Sequence, residues 1–180
     1  FVWLQALIVV CCYCGYKGID NYSLYAVEVL HADELLAAQL TSASAYARPL
    51  AAVAAGFLAD RFKASRVISI GFAVAVFAYS LLAISGSPST MLAIILVNLL
   101  LTMVAVFAIR GIYFALVAES QIDIRVTGTA VGVISVIGFT PDVFFGSVTG
   151  RILDSNPGLT GFQHYFWLLA VFAIVGMLPS

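Results

Sequence analysis

Six long apolar stretches follow one another along the chain, at about 1–30, 35–59, 66–85, 89–118, 126–150 and 161–179. A helix that crosses a bilayer needs about 20 mostly apolar residues, and each stretch is close to or beyond that length. The connections between them are short and polar: His31–Glu34, Asp60–Arg66, Gly86–Pro88, Glu119–Arg125 and Arg151–Thr160. The apolar stretches do not alternate residue by residue, so a barrel of short strands is not indicated. With no water in the hydrocarbon core, each stretch must close its own backbone hydrogen bonds, which a helix does. The expected fold is therefore an all-α membrane protein of six transmembrane helices.

Composition agrees with that pattern. Hydrophobic residues make up 63% of the chain and charged residues 9%, against the roughly 45–50% apolar content of soluble domains. The net charge of −1 and the lack of a basic stripe outside Arg61–Arg66 argue against a nucleic-acid surface. Cys11, Cys12 and Cys14 share the first stretch, but neither His31 nor His164 is near enough in sequence to complete a metal site. They read as small, soft residues at helix contacts. No metal and no cofactor is expected. The chain reads as a single bundle over residues 1–180 and as a fragment of a longer membrane protein.

The connections also suggest orientation and symmetry. Arg61, Lys63 and Arg66 follow the second stretch and Arg125 the fourth, whereas the other side carries only Arg151. By the positive-inside rule, the Asp60 hairpin is expected to be cytoplasmic. A division near Gly86 gives two triplets, 1–86 and 87–180. Gly56 and Asp60 close the second helix of one triplet, and Gly150 and Asp154 close the second helix of the other. Two such turns on opposite sides of the membrane are the pattern of an inverted three-plus-three repeat.

Charges inside membrane spans are costly and usually functional. Arg48 lies twelve residues before Asp60, which is about 18 Å of helix and so near the midplane. Pro49 follows it, and Thr41, Ser44 and Arg48 form one polar stripe. That stripe reads as a cavity wall, or else Arg48 pairs with an acidic residue that locks the bundle. Arg110 lies nine residues before Glu119, about 13 Å in by helical rise. Met103, Phe107, Tyr113 and Phe114 share its side of the helix. A guanidinium among aromatic rings suits a planar or anionic group; the alternative is snorkelling toward the interface.

In the first stretch, Lys17, Asp20, Asn21 and Glu28 lie along one face, with Tyr13 a turn earlier. Gly15 and Gly18 flank Lys17, so the helix is expected to loosen there, as transporter helices do at binding sites. The other reading is a frayed outer end with its charges in water. Thr140-Pro141-Asp142 interrupts the fifth stretch, where Asp142 is a proton carrier, a partner for Lys17 or an interfacial residue. In that stretch Gly128 with Gly132, and Gly146 with Gly150, should give small faces for close helix packing.

Gly56-Phe57-Leu58-Ala59-Asp60-Arg61-Phe62, ahead of a basic cluster, closely resembles the hairpin that joins the second and third helices of each half of major facilitator superfamily transporters. Lys63 stands where that motif prefers glycine, and Ala64-Ser65 where it prefers basic residues. Six helices with this hairpin second resemble the C-terminal half, helices seven to twelve, of a twelve-helix carrier. The runs Arg110–Ala115 and Gly128–Gly132 are similar to poorly characterised bacterial inner-membrane members. The resemblance implies a rocker-switch carrier whose N-terminal half supplies the other cavity wall. It also implies a conformational latch at Gly56, Asp60 and Arg61. Arg48, Arg110 and the Lys17–Asn21 region would line its cavity.

The expected function is thus secondary active transport, by symport or antiport, of a small polar, anionic solute across the inner membrane. Tyr13, Lys17, Asn21, Arg48, Arg110 and Tyr113 are the candidate solute-binding residues. Asp20, Glu28, Glu119 and Asp142 are the candidates for coupling to protons. A channel-like or non-transporting membrane protein is the alternative. A membrane enzyme would have to use His31 with Asp33 or Glu34, and no nucleophile or metal-ligand spacing accompanies them, so no catalytic residue is expected.

Overall fold

Apolar side chains and the need to satisfy every backbone group internally leave the chain helical almost throughout. A computed structural model describes residues 1–85, 92–120 and 122–180, without the side chain of Ile124. The Gly86–Pro88 connection and the division of the chain near Gly86 lie outside the described residues. The helices are α1 (Val2–Gly18), α2 (Tyr22–Glu28), α3 (Glu34–Arg61), α4 (Ala64–Ile84), α5 (Leu92–Ile112), α6 (Ala115–Glu119), α7 (Ile124–Gly138), α8 (Pro141–Ser155) and α9 (Leu159–Met177).

Among the described residues, five segments are long and apolar enough to cross a membrane: Val2–Glu28, Ala64–Ile84, Leu92–Ile112, Arg125–Ser155 and Leu159–Met177. The remaining long helix, α3, has 28 residues, about 42 Å at the α-helical rise and more than the roughly 30 Å hydrocarbon core. Gln39, Thr41, Ser42, Ser44 and Arg48 make it the most polar of the long helices.

Three of the apolar stretches are broken: the first and the fifth where the sequence indicates a weak point, and the fourth at Tyr113–Phe114, between α5 and α6. The first is interrupted by a 3₁₀ turn at Ile19–Asn21, immediately after Gly18, where the glycines and polar residues weaken the helix. The fifth is interrupted at Phe139–Thr140, with Pro141 opening α8. Proline fits the first turn of a helix because its missing N–H has no partner there anyway. Two boundaries also differ from expectation. Arg151 and Asp154 are helical rather than part of a loop, because α8 continues to Ser155, carried by Ile152 and Leu153. Only Phe62 and Lys63 separate α3 from α4, so Asp60 and Arg61 form the last turn of α3.

The packing places α1 at the centre, against α5, α7, α8 and α9. Outside it, α4 packs on α5 and α9, α3 on α5, and α2 on α3. Gly111 lets α5 approach α3 closely: a Cβ at that position would lie 2.9 Å from the backbone Cα of Ala52. Among the described residues, the small faces expected at Gly128, Gly132, Gly146 and Gly150 are not used in this way. A side chain at any of the four would meet nothing within 4 Å, because they line parts of α7 and α8 that no other described helix covers.

Candidate functional site

The centre of the site is Tyr16, on the last full turn of α1 before the break. The guanidinium carbon of Arg110, from α5, lies 3.8 Å from the centroid of the Tyr16 ring. The corresponding carbon of Arg48, from α3, lies 5.3 Å from the same centroid, and an Arg48 Nη donates to the Tyr16 hydroxyl at 3.4 Å. The two guanidinium carbons are therefore no more than 9.1 Å apart, the sum of their distances to one point. Further rings complete the cradle. Tyr13 faces Arg110 at 5.1 Å, and Phe107 faces Arg48 at 5.4 Å. Attraction to an aromatic face is worth about 0.5–2 kcal/mol and grows as water is excluded.

Neither arginine has a carboxylate partner among the described residues. Among the described residues the ion pairs belong to Lys17, which lies 3.0 Å from Asp20 and 3.8 Å from Asp142. One terminal nitrogen of Arg110 is buried and makes no hydrogen bond. A buried donor without an acceptor costs about 1–3 kcal/mol, more when it is charged. The cluster of Arg48, Arg110 and Lys17 with Asp20 and Asp142 carries three positive and two negative charges, a surplus of one. Of the two readings of Arg48, the ion pair that locks the bundle is thus not the arrangement adopted.

A second set of contacts joins the two helix breaks. The Tyr13 hydroxyl donates to one Asp142 oxygen at 2.8 Å, while the other faces Lys17. Asp142 occupies the first turn of α8, where a negative charge is favoured by the helix dipole. Of its three readings, partnership with Lys17 is realised. On the other side of the α1 break, the Tyr165 hydroxyl donates to the Gly18 carbonyl at 2.6 Å and accepts from Asn21 Nδ2 at 3.2 Å. Tyr165 thus satisfies a carbonyl at the break, which a membrane helix cannot leave bare.

Of the remaining candidates, Tyr113 is buried and packs its ring on Phe114 at 4.6 Å. Its carbonyl accepts from Gln5 Nε2 at 3.1 Å. Glu119 lies away from the arginines and accepts from the backbone N–H groups of Ala64 and Ser65, capping the start of α4. Glu28 is exposed at the end of α2, and Asp60 and Arg61 are exposed at the end of α3. His31 is exposed in the turn before α3, at a φ of 50°. The three cysteines are free and buried.

Sequence reasoning grouped Arg110 with the aromatic residues of its own helix. Its ring partners instead come from α1, and Phe107 serves Arg48. Tyr16 itself was not anticipated. The available signal was its position three residues after Tyr13 and directly before Lys17, on the turn that ends at Gly18.

No protein-family model matches the chain. A stretch of 75 residues, 42% of this chain, is 40% identical to 18% of inner membrane protein YihN of Escherichia coli K12. A stretch of 110 residues, 61% of the chain, is 31% identical to 26% of inner membrane protein YqcE of the same organism. The matched stretches thus span about a fifth and a quarter of these curated relatives. With five helices apolar enough to cross a bilayer, the chain is a multi-pass inner-membrane protein.

Proposed function

We propose that this bundle is the C-terminal half of a major facilitator-type secondary transporter that carries a small anionic solute by alternating access. The observation that carries the reading is the convergence of Arg48 and Arg110 on Tyr16 with no carboxylate in ion-pair reach among the described residues. Two intramembrane cations are costly to hold. Aromatic rings lower part of that cost and leave the guanidinium N–H groups available to an anion, which Arg binds through paired hydrogen bonds.

Further support comes from the discontinuous helices. Breaks at Ile19–Asn21 and Phe139–Thr140 lie beside the charged cluster, as interrupted helices do in carriers that bind solutes near the membrane midplane. The sequence Gly-x-x-x-Asp ends both α3 and α8 one residue before the helix terminus, in keeping with an inverted repeat. The Asp60 hairpin is cytoplasmic in this reading, on the strength of its basic residues. Asp142 is the foremost candidate for coupling to protons or a counter-solute, because it ties the two breaks together.

The test is uptake of a panel of labelled small organic anions into proteoliposomes holding the full-length protein. Saturable uptake that is lost in both Arg48→Ala and Arg110→Ala supports the reading. Unchanged uptake in both variants removes the anion site.

A further inference from the structure

One helical turn along α3 from Arg48, a cavity of about 170 Å³ opens between the α1 break, α2, α3 and α5, with Asp20, Ser23, Thr41 and Ser44 in its polar lining. The hydrogen bonds of these groups determine what the cavity can accept. Thr41 Oγ1 donates its proton to the Ala37 carbonyl at 3.2 Å, and Ser44 Oγ donates to the Thr41 carbonyl at 2.7 Å. A hydroxyl has a single proton, so both oxygens are left with only lone pairs to offer. The Asp20 carboxylate likewise only accepts. Tyr22 also lines the cavity, and its hydroxyl is engaged with Thr102 at 2.6 Å.

The cavity is thus rich in acceptors, and the neighbouring arginines are rich in donors. Ser44 precedes Arg48 by four residues on the same face of α3, about 6 Å along the helix. One small molecule can therefore reach both Ser44 and Arg48, and Arg110 shares the Tyr16 ring with Arg48. A ligand amine is disfavoured, because Lys17 already lies 3.0 Å from Asp20 and neutralises it. A second ammonium would gain little from that carboxylate and would meet a like charge. Neutral donors fit better.

We propose that the solute is a hydroxylated acid, with its anionic group on Arg48 and Arg110 and its hydroxyls donating to Asp20, Thr41 and Ser44. The proposal rests on the anion-site reading above and narrows it from anions in general to polyhydroxylated ones. It names a chemical class that hydrophobic acids, amino acids and uncharged sugars do not satisfy.

Three six-carbon carboxylates separate the alternatives: gluconate, hexanoate and 6-aminohexanoate, titrated against purified full-length protein. Gluconate should bind at least about tenfold more tightly than the other two, the scale expected where polar groups of a site are left unpaired by the wrong ligand. In the double variant Thr41→Val, Ser44→Ala that preference should collapse through a loss of gluconate affinity of about tenfold. Hexanoate binding as well as gluconate, 6-aminohexanoate binding best, gluconate failing to bind, or a preference that survives the double variant each overturns the proposal. Arg110→Gln keeps the two levels apart. Equal loss of hexanoate and gluconate in that variant, without hydroxyl preference in the wild type, retains the anion site and rejects only the hydroxylated acid.

Discussion

Arg110 holds its guanidinium carbon 3.8 Å from the centre of the Tyr16 ring, so a cation from α5 rests on the last turn of α1 before its break. Arg48 reaches the same ring from α3. Removing the ring should therefore release both cations at once. Tyr16→Phe keeps the aromatic face and loses only the long hydrogen bond from Arg48, and should weaken solute binding by about threefold or less. Tyr16→Ala should weaken it by about tenfold or more. Titration of solute against the two purified variants checks the order, and equal loss in both would count against the ring as the support.

The break in α1 depends on a close contact. A Cβ at Gly18 would lie 2.9 Å from both methyls of Leu169 and 3.3 Å from the Tyr165 hydroxyl. Gly18→Val should lower stability by about 1–3 kcal/mol through overpacking. Tyr165→Phe should cost about 1 kcal/mol, because the Gly18 carbonyl loses its buried partner. Thermal unfolding in detergent reads both effects, with the larger downward shift expected for Gly18→Val.

Asp142 has a different task in this account. The Lys17–Asp142 contact at 3.8 Å is loose and about half exposed, so its direct value to stability is about 0–1 kcal/mol. Asp142→Asn should therefore fold with near-wild-type stability and keep an acceptor for Tyr13. If Asp142 couples transport to protons, the variant should retain exchange of labelled for unlabelled solute but lose accumulation driven by a proton gradient. Comparing the two assays in the same proteoliposomes is the check. Intact accumulation would move the coupling role elsewhere.

Glu119 should behave in the opposite manner. It caps the amino terminus of α4 through Ala64 and Ser65, and its loss should cost about 0.5–2 kcal/mol, as for other helix caps. Glu119→Ala should thus lower the melting temperature while leaving proton-driven accumulation intact once the protein is folded.

Part of this arrangement was legible in the sequence because glycine and proline mark where a helix is weak. The glycines around Lys17 mark where α1 breaks. Pro141 marks the second break in the same way. Which helix faces which is a tertiary fact that counting along one helix does not contain. That is why spacing alone pairs Arg110 with the aromatic residues of α5 and does not point to Tyr16. The paired glycines of α7 and α8 show the same limit. Their spacing signals a small surface, yet spacing does not say whether another helix covers it, and the described residues leave all four open.

The most direct test is equilibrium binding of a small anion, inorganic or organic, to the full-length protein, compared among wild type, Arg48→Gln, Arg110→Gln and Arg110→Lys. Each Gln substitution removes a cation that no carboxylate of the described residues neutralises, and should weaken binding by about tenfold or more. Arg110→Lys keeps the charge but loses the planar fork that stacks on Tyr16, and should fall between wild type and Arg110→Gln. Affinity that is the same in all four proteins would contradict the account.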